Sequence, residues 1–187
     1  MNMKIYTSNI NKLNEFKRFG LDLEMVKGKD LDEVDGTPHE VITYKALDAG
    51  EGNLVEDTIL IIDGKEVVDI REKMSQLDSF VGKKASWMVS LGCVIDDNLH
   101  TASAVVEGIL KKPEVMPENA FGFDPYFYPV DCNEGYSLAE LEEMGLKDDY
   151  SARKVAVYVF LNRTVGFLST PINIIPKWKG GYQNITK

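Results

Sequence analysis

Met3-Lys4-Ile5-Tyr6 is a short apolar run that Thr7-Ser8-Asn9 breaks, after which Leu13, Phe16 and Phe19 recur on one helical stripe ended by Gly20. That change of period predicts a strand over 3–7 and a helix over 10–19. Residues 23–27 read as a second short strand. In PHEVITYKALDAG (38–50), Pro38 suits a first helical turn and Gly50 an end, with Val41, Ala46 and Ala49 inward and Ile42 beside them. NLVEDTILIIDG (53–64) is β-branched and closed by Asp-Gly, which predicts a buried strand. A helix is expected over 66–80. Residues 85–110 read as two long antiparallel strands around Asp96-Asp97-Asn98, and 118–129 as an aromatic loop. Ser137-Leu138-Ala139-Glu140 has the form of a capping box. Ser151 starts a last long helix with Val155, Val159 and Phe160 inward, and Pro171, Pro176 and Gly180-Gly181 make the tail irregular. This order predicts an α/β or α+β protein with a central mixed sheet and flanking helices.

Composition narrows the chemistry. With 44% hydrophobic residues among 187, the chain has material for one substantial core with room for two lobes. It has no run of about 18 apolar residues and no signal-like N-terminal stretch. Cys93 and Cys132 stand outside any CxxC pattern. The expectation is a reduced, cytoplasmic protein without a membrane partner. A formal net charge of −9 argues against sequence-independent binding of nucleic acid. A small anion can still bind where lysines gather or a divalent metal bridges carboxylates to phosphate. The two histidines, His39 and His100, are expected at the surface, so carboxylates, lysines and a metal are the expected carriers of chemistry.

Four stretches offer such carriers, and each reads two ways. The Thr7-Ser8-Asn9 turn, with Lys12 one turn inside the helix, is an anion site or an ordinary N-cap. Glu56-Asp57 sits in an apolar strand, where neighbours point to opposite faces. It serves a hard cation or a water, or pairs with a lysine. Asp32, Glu33 and Asp35 form an acidic turn that is solvated, or in which Glu33 completes an oxygen-ligand site beside Asp57. Phe121-Gly122-Phe123-Asp124-Pro125 exposes ring faces to a nucleobase, or plugs the core. Further on, Lys147, Ser151 and Arg153 surround a helix start, and Arg153 can bind phosphate or a base edge, or face solvent.

In this order the motifs resemble the inosine triphosphate pyrophosphatase family, the non-canonical purine nucleoside triphosphate pyrophosphatases. Thr7-Ser8-Asn9 with Lys12 and Glu15 resembles its T-G-N-x-x-K-x-x-E turn, and Glu33 with Lys45 its acidic turn and following helix. Glu56-Asp57-Thr58 resembles its acidic strand, residues 121–125 its F-G-[YWF]-D-P loop, and Ala139-Glu140, Lys147 and Ser151-Ala152-Arg153 its last segment. The resemblance covers roughly 3–168. It implies a single elongated domain over 1–168, two lobes around a cleft, a homodimer, and magnesium-dependent release of pyrophosphate from a nucleoside triphosphate. It assigns Ser8, Asn9 and Lys12 to the triphosphate, stacks Phe123 on the base with Asp124, Lys147, Ser151 and Arg153 around it, and counts Thr7, Lys45 and Phe121 among the substrate-binding residues. Glu33, Glu56 and Asp57 would serve the metal, Asp57 as the group that activates water and Lys12 beside it. Three positions depart from the family. Ser8 replaces a glycine, Ala152 replaces a histidine that reads the purine 6-oxo group, and Asp63-Gly64-Lys65-Glu66 stands where G-x-P-G is expected. These keep open an ordinary or modified deoxynucleotide such as dGTP as substrate, and a nucleotide binder without turnover.

Overall fold

A computed structural model describes residues 3–27, 30–67, 74–118 and 122–183. Strand β1 (Lys4–Tyr6) leads into helix α1 (Ile10–Arg18) and strand β2 (Glu24–Val26). Helix α2 (Pro38–Ala49) opens with Pro38 in its first turn and a capping box, the Thr37 hydroxyl accepting from the Glu40 N–H and the Glu40 carboxylate from the Thr37 N–H. Strand β3 (Asn53–Ile62) follows.

The region 66–80 departs from the expected helix. Asp63 and Gly64 both adopt left-handed backbone, φ 51° and 71°. Two such residues make a tight hairpin turn whose twist matches the flanking strands. The chain therefore folds back as strand β4 (Lys65–Val67) antiparallel to β3, Ile62 opposite Lys65. Met74–Phe80 is a 3₁₀ helix, and 68–73 lie outside the described residues. The same device, Asp96 and Asp97 at φ 49° and 59°, joins β5 (Lys84–Ile95) to β6 (Asn98–Leu110).

Strand β7 (Phe127–Pro129), helix α3 (Leu138–Glu143), helix α4 (Ala152–Asn162) and strand β8 (Phe167–Pro171) complete the chain. Ser137 and Glu140 form the predicted capping box on α3. Among the described residues eight strands make one mixed sheet, ordered β2-β1-β3-β5-β6-β7, with β4 on β3 and β8 on β6. β1 is parallel to β2 and β3, and β6 is antiparallel to β7 and β8. The tail is thus less irregular than its prolines suggest, since residues 169–171 pair with 98–100 of β6. On α4 the inward residues are Ala152, Arg153, Ala156, Val157, Val159 and Phe160. Val155 is 46% exposed, at the edge of that buried face, about 100° round the helix from Ala156 and about 140° from Phe160.

The chain divides into two compact units, one of Met1–Asp57, Val89–Ala104 and Arg153–Lys187, the other of Thr58–Met88 and Val105–Ala152. In the first, Ile42, Ala46, Val55, Val94 and Leu99 form the core, flanked by Tyr6, Leu31, Leu47 and Ile175. In the second, Trp87, Phe123 and Phe127 pack edge to face or tilted, with centroids 5.7–6.3 Å apart. Phe127 lies over Gly108, where a Cβ would stand 2.5 Å from the ring.

Candidate active site

At the start of α1 the turn is organised locally. Asn9 donates its N–H to the Thr7 hydroxyl at 3.1 Å, and its side-chain oxygen caps the helix by accepting from the Asn11 N–H at 3.0 Å. One turn on, Lys12 reaches β3, its Nζ 2.6 Å from Glu56 Oε2. Glu56 is 8% exposed and also accepts from Arg153 at 3.2 Å. Arg153, 2% exposed in the first turn of α4, donates its other terminal nitrogen to Glu15. Burial works against the Arg153 charge, but Glu56 and Glu15 outweigh it and the guanidinium pKa is raised. Two cations and two carboxylates thus neutralise one another inside the first unit.

Asp57 lies beside Glu56 on β3 but belongs to a different cluster, as strand alternation requires. Lys45, projecting from α2, donates to Glu33 at 3.1 Å and to the Glu56 main-chain carbonyl at 3.1 Å, and lies 4.0 Å from Asp57. Burial pushes the Asp57 carboxyl up to about 6, Lys45 pulls against it, and the Glu33 and Glu56 charges raise it further. The expected trio therefore divides: Glu33 and Asp57 share Lys45, while Glu56 is held by Lys12 and Arg153. Glu15 is the member that residue-by-residue reading underweighted. Its signal was present, since three residues after Lys12 places it on the same face of α1.

The second unit holds the remaining predicted residues that the structure describes. Lys147 and Asp124, each 5% exposed, form an ion pair at 2.6 Å, and Ser151 is 2% exposed. Phe123 differs from the open stacking face expected of it. It is 5% exposed and set against Trp87 and Phe127, because the turn at Gly122 (φ 52°) folds the ring into the aromatic core. Phe121 lies outside the described residues. His100 is also not at the surface: it is 9% exposed and tilted on Phe167 at 5.5 Å, where β8 covers it.

Among the described residues no three His, Cys, Asp or Glu side chains gather into a metal cage. Magnesium does not require one, because it is held by one or two carboxylates together with substrate phosphates. Glu33 and Asp57 supply two carboxylates around Lys45, and oxygen donors of this kind fit a hard divalent cation.

The sequence model of the Ham1 family matches residues 3–163. The chain belongs to the Ham1 family. These are the inosine triphosphate and non-canonical purine nucleoside triphosphate pyrophosphatases, and the protein is accordingly a hydrolase acting on nucleoside triphosphates. The Ham1 match spans both carboxylate clusters and the Lys147–Asp124 pair. No curated protein matches the chain. Among the described residues no helix is long and apolar enough to cross a membrane.

Proposed function

We propose that this Ham1 family protein hydrolyses nucleoside and deoxynucleoside triphosphates, foremost the non-canonical purines ITP, dITP and XTP, to the monophosphate and pyrophosphate. The observation that carries the reading is Lys45 set between Glu33 and Asp57, with the Asp57 carboxyl raised to about 6. A carboxylate tuned upward is a better proton acceptor near neutral pH than a free one. In this reading Asp57 orients a water and takes its proton. The water oxygen bonds to the α-phosphorus, the bond from that phosphorus to the α,β-bridging oxygen breaks, and pyrophosphate leaves. Lys12, Lys45 and the Thr7-Ser8-Asn9 turn hold phosphate oxygens. Glu33 and Asp57 would hold magnesium, with Glu56 behind them orienting Lys12. The metal, when bound, supplies positive charge against the phosphate oxygens in the transition state.

A second reading changes the base and keeps the chemistry. Ala152 offers no hydrogen bond, and the Arg153 guanidinium is engaged by Glu15 and Glu56. A site without a donor for the 6-oxo group selects weakly for 6-oxo over 6-amino bases, which leaves canonical deoxynucleotides open as substrates beside dGTP, whose 6-oxo group inosine shares. A panel of inosine, xanthosine, guanosine and adenosine triphosphates and their deoxy forms, with product identification, separates these readings. Pyrophosphate release that chelator abolishes supports the proposal; release of single phosphate, or full activity in chelator, refutes it. Binding without turnover across the panel would make the protein a nucleotide binder.

The reading includes a homodimer in the cytoplasm. A second copy suits the outer face of α4, where Val155, Tyr158 and Leu161 are 46%, 59% and 49% exposed. A reducing compartment suits Cys93 and Cys132, both free and buried.

A further inference from the structure

The acidic turn that carries Glu33 is held from the far end of the chain. Asp35 donates its N–H to the Gly181 carbonyl at 3.0 Å, and Gln183 donates its N–H to the Glu33 carbonyl at 2.8 Å. The Gln183 side chain donates to the Val34 carbonyl at 3.2 Å, and Val34 pairs antiparallel with Tyr182. A few partly exposed hydrogen bonds, each worth about 1 kcal/mol net, do not by themselves order a tail. Trp178 supplies the anchor. Its ring lies 5.2 Å from that of Tyr44, and its Nε1 donates to the Gly181 carbonyl at 2.9 Å. Tyr44 in turn donates its hydroxyl to the Pro176 carbonyl at 2.6 Å.

Two glycines make room for the indole. A Cβ on Gly180 would stand 2.6 Å from Trp178 Cζ2, and one on Gly36 would stand 3.1 Å from Cη2. Neither glycine has positive φ, so what each provides is space rather than backbone freedom. Gly36 belongs to the acidic turn, and Tyr44 precedes Lys45 on α2. The tail therefore grips both elements that set the Glu33–Lys45 contact.

We propose that residues 176–183 form a strap that positions Glu33 for the metal-nucleotide site, with Trp178 as its anchor and Gln183 as its hydrogen-bonding end. Both are positioning residues, acting through the 33–35 backbone. The inference rests on the assignment of Glu33 and Asp57 above. Groups that orient a metal ligand from behind typically alter metal affinity about 10–100-fold when removed.

The test uses the full chain and two variants, Trp178→Ala and Gly180→Ala, the second adding one methyl group against the indole. Hydrogen exchange is followed at the Asp35 and Gln183 amides, and pyrophosphate release from inosine triphosphate is titrated with MgCl2. Both variants are expected to exchange these amides about tenfold faster or more, and to need about tenfold more magnesium for half-maximal turnover. kcat at saturating magnesium should stay within about twofold of the parent. Unchanged exchange in both variants overturns the strap. Faster exchange with an unmoved magnesium midpoint overturns its positioning role and leaves an ordinary stabilising tail. If the parent itself releases no pyrophosphate, the proposed function falls. The exchange data then still decide whether Trp178 holds the turn.

Discussion

At the scale of single residues the molecule sets stability against chemistry at Asp57. Its native carboxyl titrates near 6 against 3.8 unfolded, so the native state holds the proton more tightly. The charged form therefore costs stability above about pH 6, and the cost disappears as pH falls below 3.8. In chelator at pH 8, Asp57→Asn is expected to stabilise the fold by up to about 3 kcal/mol, while turnover falls by about 10²–10⁴. Thermal unfolding and initial rates measure the two effects, and a variant both less stable and more than a tenth active contradicts the assignment. Arg153 behaves oppositely. Arg153→Met removes the buried guanidinium that pairs with both Glu15 and Glu56. Urea unfolding should report a loss of about 3 kcal/mol, within the range for broken buried pairs. A loss below about 1 kcal/mol would mean that water already reaches the cluster.

At the scale of elements, the β6–β8 seam carries a pH response that the active site does not share. Burial, and then the nearby Arg163 charge, hold the His100 pKa below its usual 6.5. A lowered histidine pKa means that the unfolded chain takes up the proton first. Stability is then complete above pH 6.5 and is lost as pH falls through that value toward the lower native one. Replacing the imidazole in His100→Phe should flatten the fall in unfolding free energy between pH 7.5 and 5.5 relative to the parent. Equal slopes in the two proteins would place the acid sensitivity elsewhere. Comparing parent and variant removes the opposite contribution of Asp57, which is common to both.

At the scale of the whole molecule, the outer face of α4 tests the assembly. Val155, Tyr158 and Leu161 follow one another at three-residue spacing on the outer side of α4, each about half exposed. If a second copy covers it, Tyr158→Glu should convert a dimer to a monomer in sedimentation velocity, with the unfolding midpoint becoming independent of protein concentration. A monomeric parent, or a variant that stays dimeric, refutes that interface. A reverse substitution toward the family, Ala152→His, is less informative than its sequence position suggests. Ala152 is fully buried, and overpacking such a site costs about 1–3 kcal/mol before any effect on the base.

Periodicity and turn chemistry decided much of this protein without tertiary help. The apolar run before Thr7, the Pro38 and Gly50 boundaries of α2, the Asp96-Asp97 hairpin and the Ser137–Glu140 capping box are local, and each is enforced by backbone rules that neighbouring residues satisfy. Motif order was legible for a related reason, since a family keeps its chemical groups at fixed places along the fold, and the family match covers residues 3–163. Partner choice was not legible. Adjacent Glu56 and Asp57 enter separate charge clusters because a strand sends them to opposite faces and the partners arrive from α1, α2 and α4. Phe123 is core rather than open surface because Trp87, distant in sequence, meets its ring. The docking of Trp178 against Tyr44 and Gly36 has no sequence signal at all. It depends on chain segments some 140 residues apart meeting, and only burial and close packing in the folded molecule select that meeting.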